Sequence, residues 1–181
     1  MPETPARRVR YQVAASLDGF IAAEDGSYDW IPMDPAIDFG ALFAQFDTLL
    51  MGRKTYETML AYEGGVNEQG VYGKETFVFS RTLDTAAHPN VKVERGDIAA
   101  VVARLRQEAG RKDIWIFGGG DLFRQCIDLG LVDSVEVAIV PVMLGSGIPL
   151  LPKGGRVAMT LTGHRTYEGS GTVLLEYAVR R

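Results

Sequence analysis

"IWIFGGGDLFRQCI", residues 114–127, decides how the chain is read. An apolar run of strand length leads into Gly118, Gly119 and Gly120, and an amphipathic pattern follows with Leu122, Phe123, Cys126 and Ile127 on one side. Strand, glycine turn, helix is one half of a parallel α/β unit. Three glycines at such a turn admit two readings. They let backbone N–H groups approach a phosphate at the positive end of a helix, or they allow tight helix–strand packing.

Working outward, the same alternation recurs. Residues 9–15 alternate Val9, Tyr11 and Val13 against Arg10 and Gln12, as a strand does. A short helix over 38–46 precedes a buried strand over 48–52, a helix over 54–62, a glycine-rich excursion over 64–73, and strands over 76–80 and 90–94. Asp97 caps a helix whose Ile98, Val101, Val102, Leu105 and Ala109 share a face, with Gly110 as its stop. A strand over 113–117 and a helix over 121–129 ending at Gly130 complete this part. Residues 134–143, 157–168 and 172–180 then read as strands with no helix between them. The expectation is a single α/β domain over 9–181 after a tail at 1–8, with a mixed, mostly parallel sheet and an antiparallel C-terminal edge.

The totals agree with one folded domain. The chain has 181 residues, 46% apolar and 23% charged, a net charge of −4 and one cysteine. The mild charge gives no reason for nucleic-acid binding, and no stretch approaches the roughly 20 apolar residues of a membrane helix. A lone Cys126 excludes an intrachain disulfide or cysteine zinc cluster and fits a reducing cytoplasm. No His–carboxylate grouping suggests a metal.

Right-handed crossovers place the loops after Met51, Phe79 and Phe117 on one rim. The first reads Gly52-Arg53-Lys54-Thr55 and opens a helix; the second reads Ser80-Arg81. Two anion-friendly helix starts and an arginine suit an extended, multiply phosphorylated ligand, and arginine at a ribose favours NADPH over NADH. Neither common phosphate motif fits. A Rossmann fingerprint would need glycine where Phe123 stands, and "GVYGKE" has the wrong spacing for a Walker loop.

"MGRKTYE" (51–57), "FSR" (79–81) and "FGGGDLFRQ" (117–125), in this order, resemble the cofactor motifs of the dihydrofolate reductase-like fold. The nearer resemblance is to the reductase domain of the bifunctional riboflavin-biosynthesis deaminase–reductases and its stand-alone relatives. "ASLDGFIA" (15–22), "DWI" (29–31) and "PVMLGSGIPLL" (141–151) extend it. The resemblance implies a cytoplasmic NADPH-dependent reductase of a pyrimidine- or pteridine-like heterocycle, with 5-amino-6-(5-phosphoribosylamino)uracil reductase-like or dihydrofolate reductase-like activity as the first candidates, in a family whose members are often homodimers. It puts Gly52, Arg53, Lys54 and Thr55 at the phosphates and adenosine end, and Ser80 and Arg81 at the 2′-phosphate. Gly118, Gly119 and Gly120, with Asp121 and Leu122 behind them, fall at the pyrophosphate. Ala14, Ala15 and Trp30 come near the nicotinamide, and Trp30, Gly145 and Gly147 beside the substrate.

The deaminase half is absent, as is an Asp-Asp-Pro stretch after the phosphate turn, where "MLAYEGG" stands. Asp38 and Asp18 are the candidate proton donors, with an N-cap and an Asp-Gly turn as their structural alternatives. A non-catalytic NADPH sensor and a reductase of xenobiotic compounds are the alternative functions.

Overall fold

The computed structural model describes residues 6–62, 64–108 and 111–180. The chain runs β1 (Val9–Ser16), β2 (Phe20–Ala22), α1 (Phe39–Phe43), β3 (Phe46–Gly52), α2 (Arg53–Leu60), β4 (Val66–Asn67), β5 (Gly70–Val71), β6 (Glu75–Phe79) and β7 (Lys92–Glu94). It continues through α3 (Ile98–Arg106), β8 (Asp113–Gly118), α4 (Gly120–Asp128), β9 (Ser134–Val140), β10 (Ile148–Pro149), β11 (Met159–Tyr167) and β12 (Thr172–Val179).

Eight strands form one sheet in the order β11-β12-β9-β1-β8-β3-β6-β7. Neighbours from β9 to β7 are all parallel, while β12 and β11 are antiparallel additions. The parallel strands therefore end on a common rim. Period-two alternation divides their side chains between two cores. On one face Tyr11, Ile114 and Ile116 pack with Val102 and Leu105 of α3 and Phe123 and Cys126 of α4. Tyr11 and Phe123 stack at 3.8 Å. On the other, Leu49, Met51 and Trp115 pack with Tyr56 and Met59 of α2. Each large apolar side chain so buried contributes about 1.5–3 kcal/mol.

Asp97 caps α3 as expected, its carboxylate accepting the Ala99 N–H at 2.9 Å. The expected Ala109 contact and Gly110 stop lie outside the described residues, as do residues 1–5 of the expected tail. Arg7 corrects the rest of that tail. It is 3% exposed, donates to Asp47 at 2.5 Å, Thr48 at 2.7 Å and the Leu105 carbonyl at 3.1 Å, and so ties the segment before β1 to β3 and α3. The two-residue pairings β2–β10 and β4–β5 were not expected, being too short to carry a periodic signal.

Candidate cofactor and substrate site

The three loops do meet. Gly52 lies in register with Phe79, and Met51 with Gly118, so the turns after β3, β6 and β8 are adjacent on the rim. Gly52 and Gly119 are the N-caps of α2 and α4, and neither helix start has a side-chain cap. By contrast, α1 and α3 are closed by Asp38 and Asp97. The two uncapped ends thus present backbone donors and positive dipole ends beside one another, as an anion site requires.

The three central glycines have different reasons. Gly118 has φ +150°, which disfavours side chains, and a Cβ there would lie 3.3 Å from Thr55 Oγ1. Thr55, in the first turn of α2, therefore faces the α4 turn. The Gly118–Gly119 peptide is cis. At Gly119 the nearest atom to a Cβ would be Thr55 Oγ1 at 3.5 Å, an ordinary contact, so packing does not require glycine. Gly120 is a packing glycine: a Cβ would sit 2.7 Å from the Pro149 carbonyl oxygen and 3.2 Å from Pro152 Cδ. The packing reading thus holds at Gly120 and does not account for Gly119.

A cleft of about 610 Å³ opens between the ends of β3, β6 and β7 and the helices α3 and α4, a volume suited to a drug-sized ligand. Its wall includes Gly52, Ser80, Arg81, Arg95, Asp121 and Leu122. The exposed Arg81 makes no hydrogen bond or ion pair among the described residues. Ser80 Oγ accepts the N–H groups of Thr82 at 3.2 Å and Leu83 at 3.0 Å, fixing the turn that carries Arg81. Arg53 pairs with Glu57 at 2.9 Å along α2, and Lys54 is exposed; neither lines the cleft. Leu122 turns mostly into the core, at 4% exposure.

Arg95 was missed from the sequence. It lines the same cleft as Arg81, and its guanidinium donates to the Leu83 carbonyl at 2.8 Å and to Thr85 Oγ1 at 3.3 Å. The available signal was its place after "NVKVE", another strand end on the rim. Of the cleft's nearby carboxylates, Asp97 is engaged as a cap and Glu94 pairs with Arg104 at 3.0 Å.

At the other half of the rim the loop after β1 meets the loop after β9. Asp18 accepts from Ser16 Oγ at 2.6 Å, the Leu144 N–H at 3.1 Å and the Gly145 N–H at 2.7 Å. The Ser16 hydroxyl and then the two amides hold its carboxyl below the usual carboxylate range. A carboxylate so engaged brackets two loops, the structural alternative to a proton donor. Asp38 caps α1 through Oδ1, accepting the Ala41 N–H at 2.8 Å, and Oδ2 has no partner among the described residues.

Gly147, at φ +156°, is required by β2, because a Cβ would come against the Ala22 carbonyl; Gly145, at φ +76°, faces open space. Ala15 is 1% exposed within the α3–α4 core, so only its backbone can meet a ligand. Ala14 faces the opposite side. The partly buried Trp30 carries a buried Nε1–H with no hydrogen-bond partner among the described residues. Asp34, missed from the sequence, is 5% exposed and accepts from Ala36 N at 2.9 Å and Ser170 N at 3.0 Å, fastening the 28–38 loop to the β11–β12 turn. The Ser170 hydroxyl and then the Ala36 amide keep its carboxyl low. His88, expected in a polar loop, shares a 3.3 Å hydrogen bond with Tyr56 Oη.

A single mostly parallel sheet with an antiparallel edge, its rim lined by two open helix starts, defines a dihydrofolate reductase-like domain. More narrowly, the chain belongs to the RibD C-terminal domain family, which it matches over residues 7–174. It is similar to YyaP of Bacillus subtilis, 36% identical over 180 residues and 94% of each chain. It is also similar to the riboflavin biosynthesis protein RibD of Corynebacterium ammoniagenes, 26% identical over 155 residues, 79% of this chain and 45% of that one. A crystal structure of a "putative riboflavin biosynthesis protein" from a Shewanella species superposes with TM-score 0.81 at 25% identity, covering 96% of this chain and 99% of that one.

Among the described residues no helix is long and apolar enough to cross a membrane.

Proposed function

We propose that the protein is an NADPH-dependent reductase of a planar nitrogen heterocycle, of the kind that riboflavin-type reductases act on. The observation that carries this reading is the pair of uncapped helix starts at Gly52 and Gly119, side by side and flanked by a cleft holding Arg81. Open backbone donors where packing does not demand glycine fit a diphosphate. When bound, NADPH supplies a hydride, and the protein's task is to orient and to exclude water.

In this reading the α2 start, with Gly52 and Thr55, and the α4 start, with Gly118 and Gly119, hold the pyrophosphate. Arg81 meets the 2′-phosphate, with Ser80 fixing its turn, and Arg53 and Lys54 add positive potential from outside the cleft. The Ala14 and Ala15 backbone and Trp30 border the ring end. Asp38 remains the candidate acid, and Asp18 positions Gly145.

Titrating NADPH and NADH by protein fluorescence tests the cofactor. NADPH binds and NADH binds more weakly; no NADPH binding at about millimolar concentration defeats the reading. Oxidation of bound NADPH with pyrimidines, pterins and flavins then separates a reductase from a sensor, which turns over none.

A further inference from the structure

The two halves of the rim differ electrically. Arg53, Lys54, Arg81 and Arg95 belong to the half formed by β3, β6 and β7. The half formed by β8, β1 and β9 is bordered by residues 17–38, 61–62, 64–73 and 141–151, and none of these segments contains Lys, Arg or His. Residues 17–38 alone carry Asp18, Glu24, Asp25, Asp29, Asp34 and Asp38. The segments adjoin in space: Leu17 N donates to Val142 O at 2.8 Å, Leu150 N to Gly19 O at 2.9 Å, and Tyr28 stacks on Tyr62 at 5.9 Å. Lys74 donates to the Phe46 carbonyl at 2.8 Å, at the start of β3, and Lys153 and Arg156 flank the segment that Arg124 holds to α4 through the Gly155 carbonyl.

The same half carries three tyrosines, Tyr28 from residues 17–38 and Tyr62 and Tyr72 from residues 61–62 and 64–73. Tyr72 meets Phe43 at 5.1 Å and Phe117 at 5.9 Å, edge to face, and Phe117 directly precedes Gly118. Tyr62 and Tyr72 remain 47% and 41% exposed. Tyr72 has φ +50°, the only positive φ outside glycine among the described residues, so an aromatic ring is kept where the backbone disfavours one. Burial, then the Tyr62 hydroxyl, pushes the Tyr28 phenol well above its ordinary value, so it stays neutral.

We infer that the substrate end takes a planar heterocycle without a phosphate, neutral or cationic, stacked along Tyr28, Tyr62 and Tyr72. The inference rests on the reductase reading and narrows it. A phosphate there would meet the acidic 17–38 segment and, within the bordering segments, no Lys, Arg or His, whereas an uncharged aromatic loses nothing to that field and gains ring contacts.

The test uses pairs that differ only in a phosphate: 5-amino-6-(ribosylamino)uracil and its 5′-phosphate, riboflavin and FMN, and neopterin and its phosphate. Binding to the whole protein is measured by calorimetry, with NADPH titrated into the same preparation. The phosphate-free member of at least one pair binds about tenfold tighter or more, and about 0.5 M salt narrows the gap by screening. Tyr72→Ala weakens that ligand about tenfold. Should that variant fail to fold, Tyr62→Arg, at a half-exposed position, replaces it and raises the affinity of the phosphorylated member alone. Equal or tighter binding of the phosphorylated member in every pair, or binding of no member, overturns the inference. NADPH binding in that case leaves the reductase reading standing; its absence removes that reading separately.

Discussion

The Asp18 carboxylate accepts the Gly145 N–H at 2.7 Å across 127 positions of sequence. This contact joins the loop after β1 to the loop after β9, the two segments that border the ring end of the proposed site. Because the folded-state value of Asp18 is depressed, the bracket is intact above the ordinary carboxylate range and is lost only as pH falls through the lowered value. The Gly145 amide resonance should titrate there in the wild type and not in Asp18→Asn. That variant should raise KM for the heterocycle, by up to about 100-fold if the loop shifts by an ångström, and leave NADPH affinity nearly unchanged. A larger loss in NADPH affinity than in KM would remove the bracket role.

Arg81 and Arg95 line one cleft from different strand ends. Replacing either with alanine should weaken NADPH about 10- to 100-fold, the scale of a charged hydrogen bond, with little effect on NADH. Arg95→Ala should also loosen the 80–85 turn, since it removes the bonds to Leu83 and Thr85. Parallel titrations with both nucleotides are the check, and equal losses for both would take the pair away from the 2′-phosphate.

Gly52 and Gly120 should respond oppositely to alanine. A Cβ at Gly52 meets nothing within 4 Å, so stability should stay within about 0.5 kcal/mol while NADPH binding weakens. At Gly120 the clash with the Pro149 carbonyl, at about 1–3 kcal/mol, exceeds the gain of about 1 kcal/mol from placing alanine in a helix. Urea melts with nucleotide titrations separate the two outcomes.

Burial pushes the Cys126 thiol up to about 12, leaving almost no thiolate near neutral pH. Labelling by a disulfide reagent should therefore follow global unfolding and accelerate with urea. Rapid labelling of the native protein would contradict its place in the core.

Arg7→Ala should destabilise the fold by about 1–3 kcal/mol, because Thr48 and the Leu105 carbonyl lose a buried donor while Asp47 keeps Arg111. Denaturant titration measures this, and a loss under about 1 kcal/mol would show that solvent replaces the contact.

Periodicity alone located every long strand and helix, because each buries one face and a buried face must repeat at 2.0 or 3.6 residues. It failed at β2, β10, β4 and β5, where two or three residues pair through backbone only. The glycine turn and the strand-end motifs were likewise legible, since helix starts near strand ends follow from chain order. Arg95 was less so: nothing in "ERGD" distinguishes a cleft arginine from a solvated one until β7 is set beside β6.

Chain order and side-chain pattern thus determined the sheet, its common rim and the glycine turn, all consequences of local backbone chemistry and of apolar faces needing cover. Tertiary structure alone decided that Gly120 serves packing while Gly119 does not, that Asp18 holds a distant loop, and that cations gather at one end and tyrosines at the other. Those facts depend on which distant atoms lie within a few ångströms, and the spacing of residues along a chain does not encode that distance.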